Sequence, residues 1–91
     1  MIYSEDNIVL IYRLMSIGGL ELINNLIGNL YLEELNLYGN DMTDCVIPPL
    51  IQFVQHPTCK VYFLSLGSND FNSQGISPLI ILKLFYRFEI T

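Results

Sequence analysis

The chain has 91 residues, with 9 acidic against 4 basic side chains and a formal net charge of −5. That length allows one domain at most, with a modest core, and the absence of clustered Lys or Arg argues against double-stranded nucleic acid, whose phosphates need such clusters. Two cysteines, Cys45 and Cys59, are fewer than a disulfide-stapled secreted domain of this size uses, so reduced thiols in a reducing compartment are expected.

From the N-terminus, Glu5 and Asp6 precede a short apolar run, the opposite of the basic start of a secretory signal. Residues 14–32 are apolar on average, but Glu21, Asn24, Asn25 and Asn29 interrupt them, which predicts an amphipathic helix and no membrane span. Over residues 19–27, Leu20, Ile23, Leu26 and Ile27 fall on one helical face.

The next segment, Leu32-Glu33-Glu34-Leu35-Asn36-Leu37-Tyr38-Gly39-Asn40, returns 29 residues later as Val61-Tyr62-Phe63-Leu64-Ser65-Leu66-Gly67-Ser68-Asn69. Both copies read L-x-x-L-x-L-x-x-N, the spacing in which apolar residues of a short strand point inward and an Asn closes the following turn. Beyond the strands, Met42 maps onto Phe71, Ile47 onto Ile76, Pro49 onto Pro78, Leu50 onto Leu79, Ile51 onto Ile80 and Phe53 onto Leu82. Asn40 and Asn69 are expected to turn inward, bond backbone groups of the bend and of the neighbouring coil, and stack as a ladder.

After each strand the periodicity changes to that of a helix. In residues 47–56 the apolar positions 50, 51, 53 and 54 form one stripe, with Gln52, Gln55 and His56 outside it. Pro49 suits a first helical turn, and Ser77-Pro78 repeats the arrangement with Ser77 as the expected N-cap. Pro57 ends the first of these helices. A degenerate copy lies upstream at an offset of 27 residues, with Ile8 under Leu35, Leu10 under Leu37 and Met15 under Met42, but with Arg13 in place of the Asn. Residues 5–31 are thus either a degenerate repeat or a helical N-terminal cap, followed by repeats at 32–60 and 61–82. Residues 83–91 complete an atypical apolar tail, since residues 79–90 are apolar almost all round where a terminal coil should be polar outside.

Over about residues 5–82 the pattern resembles the leucine-rich repeats of the ribonuclease-inhibitor-like class, as in NOD-like receptors and some bacterial effectors. That family often carries Gly six residues after the Asn, a position that Gly75 fills and Val46 does not. The resemblance implies an α/β solenoid, a short right-handed β-α superhelix with parallel strands on the concave face, helices outside, and non-catalytic binding of a protein partner by the concave side. The residues between the inward leucines would line that side: Glu34, Asn36 and Tyr38 from one coil beside Phe63 and Ser65 from the next, with Tyr62 at the rim. Their aromatic content is that of a protein-binding surface. The expected location is cytoplasmic, or the host cytoplasm for an effector.

Two alternatives stand beside this reading: a self-associating module whose apolar C-terminal helix pairs with a second copy, giving a homo-oligomer, and a truncated reading frame without independent function. The chain is also open to being a piece of a larger repeat protein. No enzyme activity, cofactor or metal is expected. His56 is the sole imidazole, and with Cys45 and Cys59 it makes three soft ligands without a fourth. Asn40-Asp41-Met42-Thr43-Asp44 lacks the twelve-residue ligand spacing and final Glu of a calcium loop, and Gly18-Gly19 lacks the Lys-Ser/Thr of a phosphate loop.

Overall fold

In the computed structural model, residues 2–5, 8–11, 15–86 and 89–90 are described, with side chains for 15–83 and Ile90. Asp6 and Arg13, which figure in the sequence reading, lie outside the described residues. In chain order the elements are β1 (Ile2–Glu5), β2 (Ile8–Ile11), α1 (Met15–Leu26), β3 (Glu34–Asn36), α2 (Ile47–Gln55), β4 (Phe63–Ser65), α3 (Ser73–Tyr86) and β5 (Glu89–Ile90), with one 3-10 turn over Asp44–Val46 ahead of α2. The strands lie side by side in the order of the sequence; β1 and β2 are antiparallel and the later pairs parallel.

In β3 and β4 the alternation of the sequence becomes two faces. Leu35 and Leu64 are directly opposite one another and wholly buried, while Glu34 faces Phe63 and Asn36 faces Ser65 across the pair. The leucines reach a core built from Ile23 of α1, Leu50, Phe53 and Val54 of α2, Leu79 of α3, and Leu37, Met42, Val46 and Leu66 of the connecting turns. Helix α1 comes so near this core that a Cβ on Gly19 would stand 2.8 Å from Met42 Sδ and 3.2 Å from Val46 Cγ1.

After β3 Asp41 (φ 53°) is in the left-handed region, and the turn after each strand has a further such place. Gly39 (φ 70°) fills it after β3 without steric cost, and Ser68 (φ 52°) fills the matching place after β4. Asn69 closes this corner. Its Oδ1 accepts the backbone N–H groups of Asn40 and Met42, each at 3.0 Å, and its Nδ2 donates to the carbonyls of Leu37 and Leu66, each at 2.9 Å. Asn40 is buried and donates through Nδ2 to the Tyr38 carbonyl at 3.3 Å.

The molecule is a small α/β unit of three helices and one short sheet, which corrects the expectation of a leucine-rich-repeat solenoid. Strands β3 and β4 have three residues each, the sheet opens on an antiparallel hairpin where a superhelix of like coils has parallel strands throughout, and no solenoid of repeats is evident among the described residues. The physical reason lies in the helices. A solenoid needs about three or more equivalent coils, so that inner coils see identical neighbours. Here the 29-residue register joins β3 to β4 and carries Gly39 to Ser68 and Leu50 to Leu79, but the elements around this pair do not repeat, the helices running for 12, 9 and 14 residues.

Helix α3 shows where the register breaks. It starts at Ser73, four residues before the expected Ser77 cap. Asn72 supplies the cap, its Oδ1 accepting the Gln74 N–H at 2.8 Å. Pro78 is therefore inside the helix, where it cannot donate to the Gln74 carbonyl one turn back; the Ser77 hydroxyl donates to that carbonyl instead, at 3.0 Å. The first turn of α3 also abuts the preceding loop. Asp44 Oδ1 accepts the Asn72 N–H at 2.8 Å, and a Cβ on Gly75 would collide with the Asp44 carboxylate. The expected all-apolar tail divides: α3 extends to Tyr86, and Glu89–Ile90 then adds as β5 beside β4.

Candidate functional site

The side of the sheet turned away from the helices is the region where polar and aromatic residues gather. Tyr62 donates its backbone N–H to the Glu33 carbonyl at 2.9 Å, which carries the β3–β4 ladder one step beyond the strands. Leu37 N–H to the Ser65 carbonyl at 2.8 Å and Gly39 N–H to the Gly67 carbonyl at 2.9 Å extend it at the other end. The face is therefore held by backbone bonds over its whole length, and a binding partner would order little of it.

The six expected surface residues divide into two groups and one exclusion. Glu34, Tyr62 and Phe63 cluster toward the N-terminal end of the strands. Tyr62 is 52% exposed, and the negative charge of the Glu34 carboxylate beside it pushes the phenol above the usual tyrosine range, with partial burial and Glu33 adding to the effect. Asn36 and Tyr38 lie toward the other end. There Asn36 Oδ1 is occupied by the Tyr38 N–H at 3.0 Å, while the Tyr38 ring is 55% exposed. Ser65 is only 6% exposed and offers a partner almost no area. Asn40 and Asn69 serve the turns, as described above.

Exposed apolar side chains that the repeat pattern leaves out are Leu30 and Tyr31, at 48% and 70%, just before β3. Asn29 holds this loop, its Oδ1 accepting the N–H groups of Tyr31 at 2.8 Å and Leu32 at 2.7 Å. A signal was present in the sequence: one repeat later the place of Tyr31 is taken by a lysine, Lys60, so the tyrosine has no part in the shared core pattern. On α3, Ile80 and Ile81 are 43% and 56% exposed, and on α1 Met15 and Ile17 are 61% and 81% exposed.

The residues weighed for chemistry stand apart from this face. His56 ends α2, its Nδ1 accepting the Thr58 N–H at 3.2 Å and standing 2.8 Å from the Thr58 hydroxyl. Its extended backbone, with ψ 136°, is the conformation that the following Pro57 favours. Both cysteines are free. Cys45 is exposed on the 3-10 turn, 3.4 Å from Thr43 Oγ1, and hydrogen bonds from Thr43 and then Ser16 hold its thiol below the usual range; Cys59 is half-buried, and burial pushes its thiol up. Among the described residues no three His, Cys, Asp or Glu side chains converge on a metal position, and no helix is long and apolar enough to cross a membrane.

No family model matches the chain, and no curated protein matches it. The likeness to leucine-rich repeats therefore rests on the residues of this sequence alone.

Proposed function

We propose that the chain is a non-catalytic binding module that engages a protein partner through the outer face of β3 and β4, with Tyr38, Tyr62 and Phe63 as anchors and Glu34 and Asn36 between them. The observation that carries this reading is the exposure of Tyr38 and Tyr62, 55% and 52%, at opposite ends of one hydrogen-bonded strand pair. Two half-exposed rings on a backbone that is already fixed are the combination that favours tight contact: large area, few rotatable bonds and little entropy lost on binding. Ser65 drops out of the contact set because of its burial.

Panning a random dodecapeptide library on the immobilised chain tests the reading. Recovered peptides are expected to lose roughly tenfold or more in affinity on Tyr38→Ala or Phe63→Ala, the loss of a central aromatic anchor being worth about 2 kcal/mol. Peptides that bind both variants as well as the parent would place the binding surface elsewhere.

A further inference from the structure

The outer face has a chemical bias. Residues 32–38 and 61–67 contain two carboxylates, Glu33 and Glu34, and no Lys or Arg, in a chain whose net charge is −5. Glu34 and Phe63 are direct cross-strand partners, and adjacent strands stand about 4.8 Å apart, so a carboxylate and an aromatic ring lie side by side on the open face. Both are partly exposed. The Tyr62 phenol lies close enough to feel the Glu34 charge, and a carboxylate has acceptor positions on two oxygens for an incoming donor.

We propose, building on the function proposed above, that the partner segment bears arginine, one guanidinium pairing with the Glu34 carboxylate and lying flat on the Phe63 ring. A guanidinium is planar, donates in a fork that matches a carboxylate, and stacks on aromatic faces; an ammonium is a compact, strongly hydrated point charge that cannot do both at once. The side-by-side placing of Glu34 and Phe63 thus favours the guanidinium twice, through the fork on the carboxylate and through the stack on the ring. The acidic surroundings add attraction of longer range that salt screens.

The test is a titration of the full chain with fluorescently labelled hexa-arginine and hexa-lysine peptides at two salt concentrations. Hexa-arginine is expected to bind about two- to fivefold more tightly, the value of one exposed cation–π contact. Glu34→Gln should weaken hexa-arginine by a similar factor, and Phe63→Leu should narrow the gap between the two peptides while leaving the fork on Glu34 and the charge attraction in place. Equal affinities in the parent chain, a preference that Phe63→Leu leaves undiminished, or no binding of either peptide would overturn the assignment. The library selection separates this failure from failure of the underlying reading. Recovered peptides without arginine that still depend on Tyr38 and Phe63 would keep the surface and remove the arginine, while peptides indifferent to both residues would remove both.

Discussion

The carboxamide of Asn69 reaches five backbone groups: the N–H of Asn40 and Met42 and the carbonyls of Leu37, Leu66 and Gly67. These groups belong to two successive turns, so one side chain ties the corner after β3 to the corner after β4. In Asn69→Ala they would lose partners in a partly buried place where water replaces them incompletely, at a cost of about 2–4 kcal/mol. Asn69→Asp should cost a comparable amount, because it keeps the acceptor and loses both donors. Urea unfolding of the two variants checks this, and a change under 0.5 kcal/mol in both would contradict it. The importance of this asparagine was legible from its spacing after the leucines. The positive φ of Ser68 was not, since its counterpart Gly39 supplies a residue for which that conformation is free and Ser68 does not. Tyr62 gives the second prediction at this scale. Because Glu34 raises its folded-state pKa above the unfolded value, the phenol contributes stability that is fully present below about pH 10 and is lost as pH rises through the raised value. The difference in phenolate absorbance between the parent and Tyr62→Phe isolates this midpoint. The same difference measured in Glu34→Gln should fall toward the ordinary tyrosine value, and an unmoved midpoint would refute the pairing.

For β3, β4 and the helices, sequence and structure agree in kind and part over boundaries, whereas β1 and β5 fall where the sequence reading placed no strand. Strands β3 and β4 were legible because leucine spacing and an Asn-closed turn act together. Helix α2 was legible because prolines begin it and Pro57 ends it. Helix α3 misled because Ser77-Pro78 imitates a helix start. The stronger local signal lay upstream in Asn72, which both caps the helix and receives Asp44 of the preceding loop. A proline is tolerated at 78 because Ser77 takes over the Gln74 carbonyl that Pro78 leaves without its backbone donor. Ser77→Ala should therefore cost about 1 kcal/mol, and in Ser77→Ala/Pro78→Ala that cost should largely vanish, the backbone N–H of residue 78 having been restored. A thermal melt series of the parent, the single and the double variant checks it; equal costs in the two variants would show that Ser77 plays no such part.

At the scale of the whole molecule the radius of gyration is 11.8 Å, with extents of 30, 28 and 20 Å, about what a compact chain of this length has. Two matched strand-turn-helix units are enough to place leucines opposite leucines and to fix one patterned sheet face, but they do not extend into a superhelix. The repeat in the sequence was real as a register between β3 and β4 and misleading as a forecast of architecture, because the flanking hairpin, the unequal helices and the added strand β5 follow no common coil. The candidate face was legible to the same extent: strand alternation located Glu34 and Phe63 and put Tyr62 at the rim, whereas the burial of Ser65 and the exposure of Tyr31 depend on neighbours that a periodic pattern does not contain.

The central claim is that this sheet face is the binding surface, and amide chemical-shift mapping with a peptide recovered from the library tests it most directly. The account predicts perturbations concentrated in residues 33–39 and 61–67, with α1, α2 and α3 unaffected on their outer sides. Shifts confined to the helices, around Ile17 or around Ile80 and Ile81, with the strand amides unmoved, would contradict it.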